Sequence, residues 1–134
     1  MPDGSKTRSW YSGRIPGVIE EIILTLKAGK PLYLCGAFGG AAALAIELLE
    51  RRVPREFSWE FQKQTPHAEA MRELYVQHGI EWQDYPELAR LCADIGVAGL
   101  ARANHLSDDE NRELFRCRDV PRLIELLLLE LMRA

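Results

Sequence analysis

Two glycine-bearing turns carry the chemistry this sequence offers. The first is Ser12-Gly13-Arg14-Ile15-Pro16-Gly17, at the start of an apolar-periodic segment, and the second is Gly36-Ala37-Phe38-Gly39-Gly40. Glycine lets a backbone approach an anion closely and adopt positive φ. A helix N-terminus behind such a turn presents unpaired N–H groups to phosphate. Arg14 can add positive charge. Glu21 lies beside the apolar stripe Val18, Ile19, Ile22 and Ile23 and close to the first turn, at about 100° per residue around a helix. A carboxylate there can accept hydrogen bonds from ribose hydroxyls or stabilise positive charge developing on a sugar. The alternatives stay open: the glycines also suit plain tight turns, the acids suit any helix N-terminus, and Arg14 suits a solvated surface. Gly13, Arg14, Gly17, Glu21, Gly36, Phe38, Gly39 and Gly40 form the candidate ligand-binding set, with Glu21 the candidate catalytic residue if the protein is an enzyme. No Ser-His-Asp, Cys-His or Walker arrangement is present.

The elements that must position these residues follow from punctuation and periodicity. Pro16 suits a first helical turn, and Val18, Ile19, Ile22, Ile23 and Leu26 recur at helical spacing until Gly29 supplies a stop. Pro31-Leu32-Tyr33-Leu34-Cys35 is a short apolar run between breakers, which predicts a strand buried on both faces, interior to a parallel sheet. Ala41 to Arg51 is helical by propensity. Residues 53–65 read as a loop that packs its aromatics. Thr65-Pro66 reads as an N-cap and N1 of a helix over 66–78, and a further helix is expected from Pro86 to Asp94, with Gly96 near its end. Ser107-Asp108-Asp109-Glu110 is a capping-box sequence. Leu114 to Cys117 reads as a short last strand before a helix from Pro121 to Met132. The fold class expected from these elements is α/β, half of a doubly wound parallel-sheet layout with flanking helices, helix-rich, in a single domain over residues 1–134.

Composition sets the outer limits. The 134 residues are 47% hydrophobic and 28% charged, which suits one core. With 17 Lys+Arg against 20 Asp+Glu, the net charge of -3 lacks the footprint of a general nucleic-acid binder. Apolar runs are far shorter than the roughly 20 residues of a membrane helix. The polar first residues have no secretory h-region, so a cytoplasmic location is expected. Cys35, Cys92 and Cys117 form neither a disulfide framework nor a zinc pattern and read as buried thiols. His67, His78 and His105 have no metal-motif neighbours, so neither metal nor cofactor is expected.

The segment Ser12–Glu21, followed by Ala28 to Ala42, resembles the carboxyl-terminal half of SLOG-type Rossmann-like domains. These are relatives of the LOG (lysine-decarboxylase-like) nucleotide phosphoribohydrolases and the DprA/Smf group. Asn104 to Asn111 and the terminal helix also resemble the tail of bacterial SLOG proteins, so the similarity covers residues 12–42 and 104–131. The resemblance makes the expected sheet a partial Rossmann-like parallel sheet, and it implies binding of a nucleotide or an NAD-derived signal such as an ADP-ribose species. In the LOG pattern PGGxGTxxE, Gly17 aligns with the last glycine and Glu21 with the glutamate that helps cleave the N-glycosidic bond. Val18 stands in place of the pattern's phosphate-binding Thr, and Gly13-Arg14-Ile15-Pro16 replaces the glycine pair. These departures weaken catalysis more than binding.

The expected function is thus a nucleotide-binding or sensing module. The alternatives are a LOG-like nucleoside monophosphate phosphoribohydrolase and a non-catalytic assembly subunit. SLOG-type domains begin with strands upstream of this segment, and few residues precede the first helix here. The resemblance therefore implies a partial domain, either a fragment or truncated product or one whose sheet edge is completed by self-association or a second subunit. The terminal helix, with Leu123, Ile124, Leu126 to Leu129 and Leu131, is apolar on more than one side and points to the same homo-oligomer.

Overall fold

A computed structural model describes residues 17–133. Seven helices follow in order: α1 (Gly17–Lys27), α2 (Gly40–Leu49), α3 (Trp59–Gln62), α4 (Ala68–Gln77), α5 (Tyr85–Asn104), α6 (Asp108–Arg116) and α7 (Val120–Arg133). Among the described residues there is no strand. The expected Rossmann-like parallel sheet is therefore overturned for this part of the chain, and the fold is helical.

Helix α1 buries Ile19, Ile22, Ile23 and Leu26, the i, i+3, i+4, i+7 positions of one face. Val18, expected in that stripe, is 58% exposed. Helix α2 buries Ala45, Ile46, Leu48 and Leu49. It lies against α5, and α1 packs on both. Helix α5 is broken at Gly96, whose φ of 61° and ψ of -177° leave the helical region, so the expected stop there is real. The chain then resumes helix from Val97, which the sequence reading did not anticipate.

The run Leu32 to Cys35 is the informative correction. Its side chains alternate: Leu32 and Leu34 pack with the main cluster around α1, α2 and α5, while Tyr33 and Cys35 pack with the second cluster, formed by Leu106, Leu114, Leu123 and Leu126. The segment is covered on both faces, as a central strand would be. Its described backbone has no ladder partner, however; the Leu32 carbonyl instead accepts from the Asn104 side chain at 2.8 Å. Period-two alternation arises wherever an extended chain separates two apolar bodies, with or without a sheet.

Two further expectations change. Leu114 to Cys117 is not a strand: Asn111, Leu114 and Phe115 form the buried face of α6, and only Cys117 falls outside that helix, as its C-cap. Thr65 does not cap a helix; α4 begins at Ala68 behind His67, which has a φ of 65°. Helix α7 buries only Leu123 and Leu126 fully, leaving Ile124, Leu128 and Leu131 exposed. Phe57 of the aromatic loop packs edge-on against Tyr85 of α5, ring centroids 5.0 Å apart.

Two buried asparagines tie the second cluster to the extended segment. Asn104, at the end of α5, donates to the Asn111 Oδ1 at 2.8 Å, and its own Oδ1 accepts from the Leu106 N–H at 3.0 Å. Asn111 donates to the Ser107 carbonyl at 3.0 Å. Both side chains are 0% exposed, so every polar atom needs such a partner. No described helix is long and apolar enough to cross a membrane.

Candidate functional site

The second glycine turn is built as a tight reversal. The Gly39 N–H donates to the Gly36 carbonyl at 3.1 Å, which closes the turn over Ala37 and Phe38. Gly39 (φ 81°, ψ -150°) and Gly40 (φ 70°) occupy backbone conformations that L side chains rarely adopt. A Cβ at either would meet nothing within 4 Å, so the backbone conformation, not crowding, requires glycine there. Gly36 has a different reason: a Cβ would fall 2.8 Å from the Phe115 carbonyl oxygen and strike Ile46. It is a packing glycine that lets the turn approach α6.

The turn delivers the chain to α2 with its N-terminus open. Gly39 at the N-cap makes no side-chain cap, and the first turn of α2 holds no acidic residue. Its four residues are Gly40, Ala41, Ala42 and Ala43, so the unpaired N–H groups meet no competing side chain of their own helix. Phe38 stands beside this opening and is 68% exposed. Some other starts are capped: Ser58 accepts from the Phe61 N–H at α3, and Asp84 from the Glu87 N–H at α5, whereas α4, behind His67, has no side-chain cap but carries Glu69 in its first turn.

Of the candidate residues, Gly36, Phe38, Gly39 and Gly40 share this one turn. Gly17 and Glu21 lie on α1, which packs on α2. Both are exposed, and a Cβ at Gly17 would meet open space. The Glu21 carbonyl accepts from the Thr25 hydroxyl at 2.8 Å. Gly13 and Arg14 fall outside the described residues.

Burial raises the Cys35 thiol above its ordinary range, and the neighbouring Cys117 raises it further. Cys92, buried, is raised by desolvation against the opposing effect of Lys27. These thiols are protonated at neutral pH and poor nucleophiles. Among the described residues no group of three or more His, Cys, Asp or Glu could hold a metal ion.

Residues 4–114 match the family described as SLOG cluster2, which spans most of the chain. The chain belongs to this SLOG family. That membership extends the resemblance through the middle of the molecule, over α3, α4 and α5, where no motif had suggested it. No curated protein and no solved structure matches the chain. A nucleotide-related function in general follows for this SLOG chain.

Proposed function

We propose that this SLOG protein is a nucleotide-binding or sensing module, with the ligand's phosphate seated on the Gly36–Gly40 turn and the N-terminus of α2. The observation that carries the reading is the uncapped, acid-free start of α2 behind two positive-φ glycines. Backbone N–H groups and the helix dipole there favour an anion. Exposed Phe38 supplies a flat apolar surface on which a base can stack. In this reading Gly13, Arg14 and Gly17 add phosphate contacts, and Glu21 receives ribose hydroxyls. The ligand is a nucleotide or an NAD-derived, ADP-ribose-like molecule.

Calorimetric titration of the full chain with AMP, ADP-ribose and adenosine tests this. Binding is expected for the phosphate-bearing ligands and to weaken in Phe38→Ala. Equal affinity for adenosine and AMP, or no binding of any of the three, overturns the reading. Incubation with nucleoside monophosphates is expected to release no free base, because Val18 replaces the Thr of the enzyme pattern. Base release that disappears in Glu21→Ala would establish the phosphoribohydrolase instead.

A further inference from the structure

At the other end of α2 lies a cleft with no tie to the glycine turn. It is a cavity of about 630 Å³ between the end of α2, the aromatic loop and the start of α5, within the size range of small-molecule sites. Its walls are apolar, with Leu48, Val53, Phe57, Trp59, Pro86 and Ala89 among the lining residues. Trp59 is held from behind by Trp82, centroids 5.7 Å apart, and by the Arg72 guanidinium 4.9 Å from its ring centroid, so this wall is braced. Burial raises the Tyr85 hydroxyl to about 12, so that side chain presents no charge at neutral pH.

The charged groups on the lining divide by whether they are already engaged. Glu60 accepts Lys63 at 2.6 Å, and Asp84 caps α5 through the Glu87 N–H at 3.0 Å. Arg51 and Arg90 also line the cleft, and neither has an ion pair with a described residue. The carboxylates closest to Arg51 in sequence, Glu47 and Glu50, both pair with Arg52. Arg51 is held in place by its backbone. The Arg51 N–H donates to the Leu48 carbonyl and the Arg52 N–H to the Glu47 carbonyl, at 3.1 and 2.8 Å, the paired bonds of a Schellman helix end. The position such an end reserves for glycine is taken by arginine, with a φ of 66°. An exposed guanidinium is therefore kept on the cleft at a backbone cost that glycine would avoid.

We propose that this cleft is a second small-molecule site, which takes an amphiphilic anion: an apolar body inside the cleft and a single carboxylate head held by Arg51 and Arg90. The apolar walls supply the driving force through desolvation. The two guanidiniums, without an ion pair among the described residues, choose the sign of the head group. This site is independent of the nucleotide reading, because α2 separates the two and each uses different residues.

Titration calorimetry of the full chain with octanoate, 1-octanol and octylammonium tests the proposal, with tryptophan emission as a second readout. Octanoate is expected to bind tightest. Exposed ion pairs are individually weak, so Arg51→Gly and Arg90→Gln should each weaken octanoate by roughly threefold to fivefold and leave octanol unchanged. Arg51→Gly should also raise the melting temperature, because glycine suits the left-handed position, so lost affinity in that variant cannot come from unfolding. Ala43→Glu, at the far end of α2, should leave octanoate binding unaltered whatever it does to nucleotides. The proposal is overturned if octanoate and octanol bind equally, if neither binds, or if Arg51→Gly gains stability without losing octanoate. It is also overturned if octanoate affinity falls with protein concentration, which would put a second copy of the chain in the cleft.

Discussion

The N-termini of α2 and α6 start from the same problem and solve it in opposite ways. Each helix begins with N–H groups that have no partner in their own helix. At α6 the chain satisfies them itself: the Ser107 hydroxyl accepts the Glu110 N–H at 3.1 Å, and the Glu110 carboxylate accepts the Ser107 N–H at 2.8 Å. Asp108 and Asp109 add negative charge to the same turn, and Arg133 from α7 closes on Glu110 at 2.6 Å. Beneath lies the Asn104–Asn111 network. At α2 there are two glycines and three alanines, no cap and no acid. The difference teaches that α6 is an end built for stability, whereas α2 leaves its dipole and donors available to something from outside the helix.

Breaking the closed end should have the largest effect. Asn111→Ala removes one acceptor of the fully buried Asn104 amide and one donor to the Ser107 carbonyl, and leaving such buried groups short of partners costs roughly 3 kcal/mol. Urea denaturation should show this as a lower midpoint at an unchanged slope. The open end offers no comparable network to lose. Gly39→Ala strains a backbone at φ 81°, ψ -150°, with an expected cost of about 1–3 kcal/mol, and it should weaken phosphate-bearing ligands in the same preparation. A variant of unchanged stability would show that the turn does not hold this conformation.

The two ends should also differ in acid. Hydrogen bonds from Arg133, then from the Ser107 backbone, pull the Glu110 carboxyl down from 4.5 to about 2. A carboxyl depressed in the folded state contributes stability that is present above its unfolded value and lost as pH falls through the folded one. The contribution of the α6 cap should therefore decline between about pH 4.5 and 2. Arg133→Ala should move that decline upward and shrink it, as followed by thermal unfolding across this pH range. Because the first turn of α2 carries no acid, its end should contribute nothing to this profile.

The smallest effect comes from filling the open end. Ala43, in the first turn of α2, is partly exposed, and Ala43→Glu places a carboxylate at the positive pole of the helix. A gain of about 0.3–1 kcal/mol is expected at low ionic strength. The same variant should lose affinity for AMP through charge repulsion. A variant that gains stability but binds AMP unchanged would show that the anion sits elsewhere.

Where periodicity or a cap was clear within a few residues, the sequence was enough, though local reading failed at Thr65-Pro66 and Leu114–Cys117. The isoleucine stripe of α1, the alanine-rich α2, the Ser107–Glu110 cap and the extent of α7 all follow from spacing and capping within a few residues, and the structure places each as expected apart from Val18 and an end residue or two. The short apolar run between breakers also pointed to Leu32–Cys35 as a segment covered on both faces. Whether that segment meets another strand depends on residues distant in the chain, and here Asn104 takes the place of a ladder. The same holds for the cleft. Arg51 and Arg90 line one cleft across thirty-nine positions of sequence only because α2 packs on α5. Local propensity reports which faces must be buried, whereas partners are chosen by chain closure and packing, which no short window of residues contains.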